Sequence, residues 1–87
     1  MQIEYSQKFI KEFKRCPQSI KNSFKLRLKI FTNEPLSPIL NNHSLHGKLK
    51  GLKSINVTGD WRAIFEELEN NEVVYFITIG KHSKLYS

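Results

Sequence analysis

The stretch LKSINVTGDWRAIFEELENNEVVYFITI, residues 52–79, decides the fold because it contains three β-rich segments in succession. The first two segments alternate apolar and polar side chains, and the third is the richest in β-forming residues; they are residues 52–58, 61–68 and 72–79. Gly59-Asp60 and Asn70-Asn71 are turn signals between them. Three strands joined by tight turns predict an antiparallel meander.

Upstream of the meander the apolar spacing is typical of helices. Residues 2–5 alternate and suit a short strand, and Ser6 is a good helix N-cap. Two amphipathic helices are predicted next, joined at Pro17, and the second ends at Asn33. Their apolar faces are formed by Phe9, Ile10 and Phe13 and by Ile20, Phe24, Leu28 and Phe31.

The remaining segments complete the predicted architecture. Residues 35–51 are rich in Pro, Ser, Asn and Gly and predict a loop, and Gly80 is expected to break the last strand before a short tail. The predicted fold is α+β, with a short N-terminal strand, a two-helix hairpin and a three-strand antiparallel meander packed on the helices. With 87 residues, the chain is expected to form a single domain, residues 1–87. One face of the sheet is expected to pack on the helices, which leaves the opposite face of the sheet free for function.

Charge and composition limit the classes of partner that the chain is expected to bind. Fourteen Lys and Arg against eight Asp and Glu give a net charge of +6, which suits nucleic acid, an acidic protein or an anionic membrane surface. No run of about 18 apolar residues is present to span a membrane, and residues 1–5 do not resemble a signal peptide. A single cysteine, Cys16, favours a reducing cytoplasm. We interpret Cys16 as a packing residue rather than a nucleophile.

Polar side chains gather in the second half of the predicted sheet and its flanks. They include the residue types that cleave RNA by internal attack, in which a base takes the proton of the ribose 2′-hydroxyl, a cation stabilises the phosphate and an acid protonates the leaving 5′-oxygen. Histidine suits either proton-transfer role. Nothing in the spacing proves that these residues meet, and surface histidines are the ordinary alternative. The set is His43, Asn56, Asp60, Arg62, His82 and Tyr86.

Three blocks resemble the YafQ-like members of the RelE toxin superfamily. Residues 43–51, HSLHGKLKG, look like the loop before the sheet; residues 54–65, SINVTGDWRAIF, look like the first hairpin; residues 79–86, IGKHSKLY, look like the C-terminal signature. The resemblance implies a toxin of a type II toxin–antitoxin pair that cleaves messenger RNA, usually in the ribosomal A site. It implies no metal or other cofactor, and neutralisation by a small acidic antitoxin.

The resemblance also assigns roles to single residues. His82 matches the histidine after the last strand and is the best candidate for general acid or base. Asp60 matches the acidic residue of the hairpin turn, as a base or as a group that orients one. His43 matches the loop histidine, and Arg62 matches an arginine that contacts the scissile phosphate. Tyr86 stands where the family has an aromatic residue that stacks on a base. The RNA-binding candidates are Lys48, Lys50, Lys53, Asn56, Lys81 and Tyr86.

Two positions depart from the family pattern. Asn56 stands where YafQ-like proteins have His and RelE-like proteins have Lys, and an amide is no base at neutral pH. Thr78 stands where YafQ-like proteins carry a phosphate-binding Arg, which Arg62 is expected to replace. The site therefore looks like a hybrid of the two subtypes with a low expected rate.

Other interpretations remain open. A toxin of the ParE kind has a similar fold but binds DNA gyrase, and the acid–base residues argue against it. A catalytically inactive module that binds nucleic acid or an antitoxin is kept open by Asn56 and Thr78. Trp61 is expected to pack in the core, Asp60 could serve only the turn, and the lysines at positions 48, 50 and 53 could be a solvated basic surface.

Overall fold

Five strands form one mixed sheet in the computed structural model, which describes residues 1–86. The strands are β1 (Gln2–Tyr5), β2 (His43–Ser44), β3 (Lys53–Asn56), β4 (Trp61–Leu68) and β5 (Val73–Lys81), and their order across the sheet is β1-β5-β4-β3-β2. β2 to β5 pair antiparallel, and β1 pairs parallel to β5. The helices are α1 (Gln7–Arg15), α2 (Gln18–Asn33) and α3 (His82–Leu85). The α+β prediction is confirmed.

Local chemistry sets the boundaries of the helical hairpin. Ser6 caps α1, because its Oγ accepts from the backbone N–H of Phe9 at 2.9 Å. Cys16 and Pro17 separate the two helices in extended conformations, and proline lacks the N–H that would continue α1. α2 ends at Asn33 as predicted.

One face of the sheet packs against α1 and α2 around a cluster of aromatic rings. Phe76 of β5 lies at its centre, fully buried, and its ring contacts the rings of Tyr5, Phe9, Phe24, Phe31 and Phe65. Ile55, Ala63 and Ile79 extend this core along the same sheet face. Trp61, which was predicted to pack in the core, is half-buried against its margin. None of the helices in residues 1–86 is long and apolar enough to cross a membrane.

The predicted loop at residues 35–51 is wrong in part, because it contains a strand. β2 pairs His43 with Ser54 and Ser44 with Lys53, and single 3-10 turns flank it at Pro38–Leu40 and Gly47–Leu49. Both residues of β2 are exposed, so its sequence shows no alternation that would reveal a strand.

The prediction that Gly80 breaks the last strand is also wrong. β5 continues through Gly80, which pairs with Arg62, and ends at Lys81. A Cβ on Gly80 would lie 3.2 Å from Cδ2 of Leu85, so the missing side chain lets α3 approach the strand. The expected tail is therefore a short helix that folds back on the sheet, except for Ser87, which lies outside the described residues.

Candidate functional site

The sheet face opposite α1 and α2, here called the outer face, carries the predicted polar residues. Directly opposed residues of an antiparallel pair point to the same face. The register opposes His43 to Ser54 and Asn56 to Arg62, with Gly80 beyond Arg62. The outer face is not bare, however, because α3 covers its centre.

The β3–β4 turn holds Asp60 and Arg62 in place. The Thr58 hydroxyl accepts from the backbone N–H groups of Asp60 and Trp61 at 3.3 and 3.2 Å. Arg62 Nη1 donates to the carbonyls of Thr58, Gly59 and Trp61 at 3.0 to 3.2 Å. The Asp60 carboxylate, which is exposed, has no hydrogen bond or ion pair within residues 1–86. One guanidinium nitrogen thus organises the turn, which leaves the other N–H groups of Arg62 able to meet an anion.

His82 lies beside this turn although it follows β5. Its backbone N–H donates to the Asp60 carbonyl at 2.7 Å, which joins the start of α3 to the β3–β4 turn. The imidazole is exposed and meets the ring of Tyr86 edge-on, with centroids 4.6 Å apart. Lys81 is exposed next to it. The structure therefore brings His82, Asp60 and Arg62 to one corner of the sheet.

His43 approaches the outer face from the other side of β3. Its Nδ1 lies 2.7 Å from the Asn41 carbonyl oxygen, and because a carbonyl only accepts, Nδ1 carries the proton. In the neutral ring Nε2 then has an open lone pair, which is the state that a general base requires. Ser54, opposite His43, accepts from the Tyr86 hydroxyl at 2.9 Å. Tyr86 in turn contacts His82, so Ser54 and Tyr86 connect the side of β3 that faces His43 with the corner that holds His82.

Arg27 of α2 was not predicted as a site residue, yet it fixes the backbone that carries His43 and Asn56. Its Nη1 donates to the Ile39 carbonyl at 2.7 Å and to the Asn56 carbonyl at 3.0 Å. In the sequence Arg27 is one of several cations on a helix face, and neither partner is a side chain. No sequence pattern marks such a contact.

The predicted RNA-binding lysines do not all share the outer face. Lys48 and Lys50 are exposed on the loop before β3. Lys53 alternates with Ser54 and therefore points to the other side of the sheet, where it forms an ion pair with Glu67 at 2.7 Å. The structure does not bring Lys53 to the site.

Of the two positions that depart from the family pattern, Thr78 makes internal hydrogen bonds, whereas Asn56 has a buried side-chain oxygen without a partner in the described part of the chain. The Thr78 hydroxyl donates to Glu12 Oε1 at 2.7 Å, and the same oxygen accepts from the backbone N–H of Ile79 at 3.2 Å. Glu12 thereby supplies an acceptor to the edge of β5 beyond its pairing with β1, and Thr78 itself is buried. Asn56 keeps Oδ1 buried, with no donor among residues 1–86.

Cys16 takes no part in the site. Burial raises the pKa of its thiol, with Glu12 adding to the rise and Lys21 opposing it, so the thiol is protonated at neutral pH. Its Sγ lies 3.4 Å from the Glu12 carbonyl that accepts its weak hydrogen bond. In residues 1–86 no three His, Cys, Asp or Glu side chains are grouped closely enough to hold a metal ion.

Comparisons with known proteins are consistent along the whole chain. The family model described as "Bacterial toxin of type II toxin-antitoxin system, YafQ" matches residues 1–87. The crystal structure of YafQ from Escherichia coli strain BL21(DE3) is 26% identical, with a TM-score of 0.80, covering 98% of this chain and 97% of that one. YafQ in the Escherichia coli DinJ-YafQ toxin-antitoxin complex is also 26% identical, with a TM-score of 0.78 and coverages of 98% and 96%.

A more distant structure shares the fold alone. The YoeB/ParE toxin from Agrobacterium tumefaciens is 13% identical, with a TM-score of 0.78, covering 94% of this chain and 99% of that one. Among curated proteins, no sequence matches this chain.

Proposed function

Because this chain belongs to the YafQ family of bacterial type II toxins, we propose that it is an endoribonuclease that cleaves messenger RNA, in the ribosomal A site, without a metal ion. The observation that carries this proposal is the hydrogen bond from the His82 N–H to the Asp60 carbonyl. This backbone bond joins the start of α3, which carries His82, to the turn that carries Asp60 and precedes Arg62, and this supports a shared site for the three residues. These are the groups that acid–base cleavage of a phosphodiester needs.

The proposed reaction is an internal transfer. The 2′-oxygen loses its proton to a base and attacks the adjacent phosphorus, the bond from phosphorus to the 5′-oxygen breaks, and an acid protonates that oxygen. His82 is the acid, and Asp60 or His43 is the base or orients it; the open Nε2 of His43 favours that histidine. The N–H groups of Arg62 outside the turn stabilise charge on the phosphate.

The substrate and the inhibitor both fit the charge of the surface. A net charge of +6 attracts an RNA backbone, and the side chains of Lys48, Lys50 and Lys81 are exposed to meet one. The Escherichia coli relative occurs in a toxin–antitoxin complex. We infer that a small acidic antitoxin neutralises this chain too and that both act in the cytoplasm, with no membrane partner.

The test is 5′-end mapping of a reporter messenger RNA in a cell-free translation extract, with and without an inhibitor of initiation. We expect new 5′ ends that appear only while translation proceeds, at matching positions within codons, because cleavage in the A site follows the reading frame. Intact messenger RNA with translation running would contradict the proposal. A gyrase supercoiling assay then separates the ParE-like alternative, in which supercoiling is blocked, from an inactive binding module, in which it is not.

A further inference from the structure

The C-terminal helix lacks the features that would make it stable on its own. α3 has four residues, and no side chain caps its N-terminus. Isolated helices shorter than about 12 residues are marginal in water. Its position, and with it the position of the His82 imidazole at its first residue, therefore depends on contacts with the sheet.

Within residues 1–86, three of the contacts that hold α3 against the sheet act at its start, its middle and its end. The His82 N–H donates to the Asp60 carbonyl at the start, and Leu85 packs on Gly80 in the middle. At the end the Tyr86 hydroxyl donates to Ser54 Oγ at 2.9 Å. The first two contacts involve only backbone and apolar atoms, so the third is the single side-chain hydrogen bond among them.

Ser54 is a specific partner rather than an incidental surface group. Its exposed fraction is 0%, although serine is a residue usually found in contact with water. A buried hydroxyl is tolerated when it is hydrogen-bonded, and Tyr86 supplies that bond. Ser54 lies between two candidate catalytic groups, because it opposes His43 in the register while Tyr86 contacts His82.

We propose that Ser54 is a positioning residue of the nuclease, which acts through the Tyr86 hydroxyl to hold the His82 imidazole on the outer face. Proton transfer needs the acid within hydrogen-bond reach of the leaving oxygen. An unanchored Tyr86 lets α3 move and lowers the fraction of molecules in that geometry. This inference rests on the proposed cleavage activity, and it concerns the rate of the chemical step rather than the binding of RNA.

The experiment compares Ser54→Ala, Tyr86→Phe and the double variant. Tyr86→Phe keeps the ring that meets His82 edge-on and removes only the hydroxyl. At saturating ribosome–messenger complex we expect each single variant to cleave about threefold to tenfold more slowly, the size expected from one neutral hydrogen bond. The double variant should be no slower than either single variant, because both remove the same bond. The half-saturating concentration should stay unchanged.

Ser44→Ala is the matched control, because Ser44 is an exposed serine of β2 on the opposite side of the strand from His43. It should cleave at the wild-type rate. Additive losses in the double variant, or a Ser54→Ala variant that cleaves like Ser44→Ala, would overturn the proposal.

A second measurement needs no RNA and separates the positioning role from the nuclease itself. The ring centroid of Tyr86 lies 4.6 Å from that of His82, so we expect the ring current of Tyr86 to shift the NMR signals of the His82 imidazole. We expect Ser54→Ala and Tyr86→Phe to move these signals in the same direction, and Ser44→Ala to leave them in place. Unmoved His82 signals would overturn the positioning role, even if the wild-type protein cleaves. Shifted signals in a protein that does not cleave would support the anchor while the nuclease proposal fails.

Discussion

His82→Ala is expected to lower the rate of the cleavage step by about 10²- to 10⁴-fold, the usual contribution of a general acid or base. His82 is exposed at the corner that Asp60 and Arg62 also occupy, and its imidazole has no hydrogen-bond partner within residues 1–86. The ring is thus available for proton transfer, and alanine supplies no replacement. The measurement is the single-turnover rate of reporter cleavage, since product release and ribosome recycling do not limit it.

His46→Ala is the control for this variant. His46 is exposed at the start of the 3-10 turn Gly47–Leu49, and within residues 1–86 its side chain makes no hydrogen bond or ion pair with the candidate site residues. We expect its rate to stay close to that of the wild type. Equal rates for the two alanine variants would contradict the role of His82 and would move the proton transfer to Asp60 or His43. Equal unfolding temperatures would show that neither variant acts through stability.

Phe76→Ala is expected to destabilise the domain by about 3–5 kcal/mol, the usual cost of emptying a buried aromatic site. Phe76 has no exposed surface, and its ring centroid lies 5.4 to 5.9 Å from those of five other aromatic rings. α1, α2, β1 and β4 all contribute to that cluster, so no single element can move to fill the cavity. An 87-residue domain has a total stability of about 4–13 kcal/mol, so this loss removes a large part of it.

Urea unfolding followed by circular dichroism measures this change. Leu36→Ala provides the surface reference, because Leu36 is 81% exposed. We expect Leu36→Ala to shift the free energy of unfolding by less than about 0.5 kcal/mol. A loss below about 1 kcal/mol for Phe76→Ala would mean that the aromatic cluster is not the centre of the core.

The sequence predicts a helix or strand well where burial of one face imposes a regular spacing on the apolar residues. β4 spans residues 61–68 as predicted, because half its side chains must enter the core. The parallel pairing of β1 with β5 was not predicted, since alternation reveals a strand but not its neighbour. The prediction that Gly80 ends the last strand failed because the missing side chain makes room for Leu85 and does not interrupt the strand.

The sequence supplied candidate residues for the site but not the contacts among them. The family resemblance picked out His43, Asp60, Arg62 and His82, and the structure places all four at or beside the outer face. The bond between Tyr86 and Ser54 joins residues 32 positions apart, and no local pattern encodes it. Lys53 shows the opposite case, because this predicted RNA-binding cation forms an ion pair with Glu67 on the other side of the sheet.

The chemistry of the cut ends tests the central claim, acid–base cleavage by internal attack, most directly. The RNA fragments made during translation should be isolated and their termini assigned by enzymatic end-labelling and mass spectrometry. Attack by the 2′-oxygen predicts a 2′,3′-cyclic phosphate, or the monophosphate from its hydrolysis, on the upstream fragment and a 5′-hydroxyl on the downstream one. A 3′-hydroxyl paired with a 5′-phosphate would contradict this account, because water rather than the ribose would then have attacked the phosphorus.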